Sequence, residues 1–138
     1  MASRTVFVDT SAFFALEYAR DQHHGAARAI FKRLRQRACF LITTPLVVSE
    51  SVNLLHRRGN AAHAIAFGQR VLSSSLIEIV GVDGALLGRA WDEYRRHAVA
   101  GVSLVDCVSR VVVRERQIEW VFGFDQHLET GRAKLLKV

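Results

Sequence analysis

Short runs of β-branched and aromatic residues recur along the chain at Thr5 to Val8, Cys39 to Thr43, Leu76 to Val80 and Trp120 to Phe124. Longer stretches with helical apolar spacing separate them. This alternation constrains the fold more than any other feature. Strands interleaved with helices imply a mostly parallel sheet covered on both faces. The expected fold class is therefore α/β, a three-layer α/β/α sandwich around a mostly parallel twisted sheet of four to five strands. Lys134 to Val138 supplies the optional last strand. With 138 residues and no linker, repeat or low-complexity tract, residues 1–138 are expected to form a single domain.

Helix boundaries follow from capping residues. Asp9-Thr10-Ser11 precedes an apolar helix around Ala12 to Leu16, and Asp21 is expected to cap a second helix carrying the stripe Ala26, Ala27, Ile30, Phe31 and Leu34. Thr44-Pro45 places proline at the first position of a helix that runs to about Arg58, with Gly59-Asn60 as its stop. Further helices are expected over Ala61 to Leu72, from Asp83 to His97 and from Ser103 to about Arg116, with a short one opening at Asp125.

In open parallel sheets, chemistry collects beyond the carboxyl ends of the strands. Asp9 and Asp125 each follow a strand directly. Asp106 stands three residues after Ser103, in a capping-box spacing at the start of an apolar helix. Glu50 projects between Leu46 and Leu54, at the border between an apolar face and the polar arc of Ser49, Asn53, His56 and Arg57. Each acid also has a structural reading, as a helix cap for the three aspartates and as a partner of Arg57 for Glu50. Capping does not exclude ligation. Four carboxylates brought together would repel by about 3 kcal/mol per pair at about 5 Å and an effective dielectric of about 20. Such a cluster needs protons or a cation, and all-oxygen ligation selects a hard ion, Mg²⁺ or Mn²⁺.

The net charge is +6, and arginine makes up 16 of the 19 basic residues, a balance that favours polyanionic partners. Arg57, Arg58, Arg95 and Arg96 are candidates for contact with RNA backbone. Cys39 and Cys107 lack metal-ligand spacing and read as small apolar side chains. The six histidines are assigned surface roles. No apolar stretch reaches membrane-spanning length, and the opening Met-Ala-Ser-Arg does not read as a signal peptide, so a cytoplasmic location is expected.

Four segments resemble the PIN-domain nucleases, and in particular the small VapC-type ribonuclease toxins of type II toxin–antitoxin systems. They are Val6-Phe-Val-Asp-Thr-Ser-Ala-Phe, Thr43-Thr-Pro-Leu-Val-Val-Ser-Glu-Ser-Val-Asn-Leu-Leu, Ser103-Leu-Val-Asp-Cys-Val and Val121-Phe-Gly-Phe-Asp-Gln-His-Leu. They stand in the family's order and span nearly the whole chain. The resemblance places Asp9, Glu50, Asp106 and Asp125 on the family's four acidic active-site positions, with Thr10 or Ser11 where a hydroxyl supports the first acid. It implies Mg²⁺- or Mn²⁺-dependent RNA cleavage, a homodimer and a cognate antitoxin that blocks the site. Cys107 departs from the pattern, where Ala commonly follows the third acid, as does Leu128, close to where Phe is frequent. Asp9 and Asp106 are the expected direct ligands, with Glu50 and Asp125 completing the pocket through water or a second ion.

Other functions are weighed against this one. A haloacid dehalogenase-type phosphotransferase needs an acid where Ser11 stands. A receiver domain wants paired acids near the first strand and a late lysine. A PIN-like module that binds RNA or protein without cleaving, and a housekeeping PIN nuclease with no antitoxin, are the closer alternatives.

Overall fold

The apolar run Thr5–Val8 forms β1, the middle strand of a five-stranded sheet in a computed structural model that describes residues 4–138. The reading made on the leading Met-Ala-Ser lies outside the described residues. In chain order the elements are β1, α1 (Thr10–Glu17), α2 (His24–Gln36), β2 (Phe40–Thr43), α3 (Pro45–Arg58), α4 (Ala61–Ser73), β3 (Ile77–Ile79), α5 (Gly84–His97), α6 (Leu104–Glu115), β4 (Trp120–Phe122) and β5 (Lys134–Leu135). Single 3-10 turns occupy Ala98–Ala100 and Gln126–Leu128.

The sheet order is β3-β2-β1-β4-β5, and every pairing is parallel. Val6 lies opposite Leu41 on one side and Trp120 on the other. The chain thus builds outward from β1 through β2 to β3, returns past β1, and adds β4 and β5. This reversal separates the loops leaving β1 and β4 and opens a crevice beyond their carboxyl ends. The expected α/β/α class is what the chain forms. Phe7, Phe122, Ile30, Leu55 and Leu128 are fully buried at its core. On α6 the valines at 108, 111 and 112 face inward, the spacing that makes this helix strongly amphipathic.

The helix ends show why boundaries fall where they do. Thr44 accepts from the Val47 amide, Asn60 from His63 and Asp83 from Leu86, each satisfying an otherwise orphaned N–H. Helices α2 and α6 close with Ala38 and Gln117 in the left-handed region, at φ 50° and 55°. There Cys39 N donates to Leu34 O and Ile118 N to Val113 O, the bonding of a Schellman end.

Several boundaries differ from expectation. Asp21 does not cap α2. Its carboxylate accepts from His23 N inside a preceding turn, and α2 starts at His24 with no side-chain cap. β4 ends at Phe122, not Phe124, because the chain turns at Gly123. β3 is confined to Ile77–Ile79, with Leu76 exposed, and β5 has only two residues. Both cysteines are free. Among the described residues, no helix is long and apolar enough to cross a membrane.

Candidate active site

Asp9 leaves β1 and immediately becomes the N-cap of α1, which fixes both its place and its orientation. Its amide donates to Phe122 O at 3.0 Å, continuing the β1–β4 ladder one step past the strand. Its Oδ2 accepts from the amide and the hydroxyl of Ser11, at 3.2 and 2.8 Å. The Ser11 hydroxyl in turn accepts from Phe124 N at 2.9 Å. One serine therefore ties the first acid to the segment that leads into Asp125, more than a hundred residues later in the chain.

That junction is tight because position 123 is glycine. A Cβ there would lie 3.1 Å from Asp9 Cβ and 3.3 Å from Ser11 Oγ. Sequence reasoning missed Gly123. Its only signal was a glycine between a strand and a strand-end acid, which marks a close backbone approach.

Asp106 lies on the first turn of α6. Its Oδ2 accepts from Ser103 N, and the Ser103 hydroxyl accepts from the Asp106 amide, so the expected capping box is formed. Asp125 caps the 3-10 turn that follows it, accepting from His127 N at 2.9 Å, with His127 Nε2 3.9 Å away. All three aspartates are thus helix caps. A cap occupies part of a carboxylate that offers about four lone-pair sites, so each retains capacity for a cation.

Electrostatics join them. Asp9 is 4% exposed, and burial pushes its pKa from the ordinary 3.8 up to about 6. The Ser11 hydrogen bonds counter this only in part, and the negative charge of Asp106 adds to it. Burial likewise raises Asp106, opposed by its bonds to Ser103 and reinforced by Asp125. The three aspartates sense one another as a chain from Asp9 through Asp106 to Asp125. Glu50 is half-buried on the second turn of α3, a helix that packs on α1 and touches α6. It makes no ion pair with Arg57 among the described residues.

Asp9, unpaired with any cationic side chain and pushed above its normal range, is followed in the chain by an unsatisfied group. The Thr10 hydroxyl is buried with no hydrogen-bond partner. This donor set fits Mg²⁺ or Mn²⁺ held through a pair of carboxylates and water, because Mg²⁺ keeps most of its waters. A direct cage is a different matter. Among the described residues, no three His, Cys, Asp or Glu side chains stand close enough to hold one ion between them.

Behind the site is a network the sequence reading did not anticipate. Glu93 falls on the buried stripe of α5 with Leu86 and Ala90, and is 3% exposed. It accepts from Arg110 Nε at 2.6 Å and from both terminal nitrogens of Arg114. Arg114 also donates to the Thr130 hydroxyl at 2.8 Å, and Arg110 to the His127 carbonyl. Burial alone would raise Glu93, but the hydrogen bonds and charges of Arg114 and Arg110 outweigh it and hold the carboxyl at about 2. The network joins the helix bearing Asp106 to the turn bearing Asp125. The histidines are also less peripheral than expected. His23 stacks on Phe124 with centroids 4.3 Å apart, and His24 Nδ1 lies 2.7 Å from Ala15 O.

The four arginines proposed for RNA are exposed and divide between two places. Arg57 and Arg58 end α3. Arg95 and Arg96 end α5, which runs antiparallel to α6, as the Arg89–Glu115 and Arg110–Glu93 pairs show. Arg95 and Arg96 therefore lie at the end of the molecule where α6 presents Asp106, although Arg95 is also 3.5 Å from Asp92.

Comparison with known proteins agrees with this geometry. Residues 6–132 match the PIN domain family. The 23S rRNA-specific endonuclease VapC20 of Mycobacterium tuberculosis is 31% identical over 120 residues, covering 87% of this chain and 88% of its own. The crystal structure of the M. tuberculosis protein, described as a sarcin-ricin loop cleaving toxin, superposes with a TM-score of 0.80 at 30% identity, over 93% of this chain and 98% of that one. A protein from Pyrobaculum aerophilum matches with a TM-score of 0.56 over 98% of this chain and 90% of its own; at 22% identity it speaks to the fold alone. A 3-2-1-4-5 parallel sheet with an aspartate directly after β1 and another in the turn after β4, and a family match over nearly its whole length, make this chain a member of the PIN-domain family, similar within it to VapC20.

Proposed function

We propose that the protein is a Mg²⁺- or Mn²⁺-dependent endoribonuclease that hydrolyses RNA phosphodiester bonds, acting in the cytoplasm as the toxin of a toxin–antitoxin pair. The observation that carries this reading is the buried Asp9 carboxyl, pushed up to about 6 beside Asp106 with no cationic side chain to relieve it. A bare acid so placed costs stability and is retained where a cation or a proton completes it. Similarity to an enzyme named for 23S rRNA makes structured ribosomal RNA the first substrate to test.

Asp9 and Asp106 would hold the ion directly, and Glu50 and Asp125 through water. When bound, the cation supplies a Lewis acid for the phosphoryl oxygen and lowers the pKa of a coordinated water. The protein's own groups do the rest. Ser11 fixes the Asp9 carboxylate against the β4 turn. The unpaired Thr10 hydroxyl offers a partner to water in the pocket. Glu50 and Asp125 accept hydrogen bonds from the attacking water and can take its proton. Arg95 and Arg96 supply positive charge for the RNA backbone at the same end of the molecule.

A cleavage assay on total RNA with and without EDTA, with cut sites mapped by sequencing, tests the reading. Asp9→Asn and Asp106→Asn should each lower cleavage by at least 100-fold, in line with the loss of a group acting on transition-state charge. Full activity in either variant, or in EDTA, overturns it. A cognate antitoxin and a homodimer complete the proposal. Leu87 and Trp91, one turn apart on α5 and both exposed, are an apolar stripe that a second subunit would cover. Sedimentation of the purified chain, alone and with the product of an adjacent gene, checks both partners.

A further inference from the structure

A cleft of about 930 Å³ opens between the last turn of α2, the amino ends of β1 and β4, and the segment Leu135 to Lys137 that ends β5 and leaves it. Arg4, Arg33, Arg37 and Lys137 line it, and no carboxylate side chain does. None of these four cations is ion-paired to a carboxylate among the described residues. Arg33 instead donates to the Lys137 carbonyl, which fastens the C-terminal segment against α2 and forms part of the wall. Trp120, the first residue of β4, lines the same cleft and is 39% exposed. A half-exposed indole among uncompensated cations is the combination that binds single-stranded nucleic acid, with phosphates on the cations and a base on the ring.

We propose that this cleft is a second RNA-binding site, which holds a single-stranded segment of the substrate away from the point of cleavage. Arg4, Arg37 and Lys137 contact phosphates and Trp120 stacks on a base. The proposal rests on the RNA-cleaving reading for the identity of the strand. Arg4 and Trp120 stand at the amino ends of β1 and β4, whereas Asp9 and Asp125 follow their carboxyl ends, and β1 alone spans roughly 13 Å at 3.3 Å per residue. Only an RNA long enough to pass along the side of the molecule engages both, and for that RNA the second contact raises the effective concentration at the first.

The test is fluorescence polarisation of labelled single-stranded oligoribonucleotides, short and long, with the full chain in EDTA so that nothing is cleaved. The triple variant Arg4→Ala, Arg37→Ala, Lys137→Ala leaves Arg33 to hold the C-terminal segment, and all three side chains are exposed. It should bind the long RNA at least 10-fold more weakly, and its dependence of log K on log salt should be shallower by about 2, three contacts at about 0.7 each. Trp120→Leu should weaken binding several-fold with the salt slope unchanged. Binding by the triple variant within 2-fold of the parent at an equal slope overturns the proposal. So does polyglutamate of equal length binding as tightly as RNA, since a mere anion surface ignores bases. These readouts involve no cleavage, so a protein that binds RNA here yet hydrolyses none refutes the proposed function alone.

Discussion

At the scale of single residues, Asp9 is held in an environment that disfavours its charge. Its folded pKa of about 6 exceeds the ordinary 3.8, so between those values the folded state binds a proton that the unfolded state does not. The sign follows directly: the penalty is present above about pH 6 and disappears as pH falls toward 4. In EDTA, denaturant melts should show this group adding stability on the order of 3 kcal/mol from pH 7.5 to 4. Asp9→Asn, which keeps a capping oxygen, should be more stable than the parent at pH 7.5 and lack that component. Gly123 is the second sensitive point. In Gly123→Ala the new methyl meets Asp9 Cβ and Ser11 Oγ at distances where the neighbours must move. Displacing the carboxylate should lower kcat for RNA cleavage by 10-fold or more, while the melt shifts by only about 1 to 2 kcal/mol.

At the scale of elements, α5, α6 and the turn after Asp125 are held in register by Glu93. Glu93→Gln removes the charge that Arg110 and Arg114 share. A broken buried pair costs about 3 to 5 kcal/mol, but Arg114 reaches solvent, so about 2 to 3 kcal/mol is expected in urea melts. Because the folded carboxyl sits near 2 against an ordinary 4.5, its contribution is whole above 4.5 and is lost as pH falls through 2. The variant should therefore show a flatter acid limb than the parent. The same helix shows what could be read from sequence. Strand cores and caps were legible because continuous apolar runs and Thr44-Pro45, Asp83 and Ser103 act locally, whereas Asn60, read only as part of a stop, also caps α4. Asp9 and Asp125 were legible as strand-end acids. Glu93 was not, since a helical glutamate is ordinarily solvated and only the i,i+4 spacing of Arg110 and Arg114 hinted otherwise. Gly123 matters because of Asp9 and Ser11, more than a hundred residues away in the chain. The order in which strands neighbour one another is equally hidden, as is the shortening of β4 that follows from the turn at Gly123.

At the scale of the whole molecule, a cation at the acids would act as a ligand of the folded state only, stabilising by RT ln(1 + [L]/Kd). Mg²⁺ or Mn²⁺ at about 100 times its Kd should add about 2.7 kcal/mol. Scanning calorimetry should find the rise in Tm in the parent and not in Asp106→Asn; an equal rise in both would place the ion elsewhere. The strand order carries a further consequence for how such a protein is made. Asp9 and the segment leading to Asp125 lie side by side only because β4, emerging late, inserts beside β1, emerging first. A nascent chain still threaded through the ribosome has delivered the first three acids but not the strand that brings in the fourth. A site built on this strand order would thus stay unassembled until β4 has left the ribosome and paired with β1.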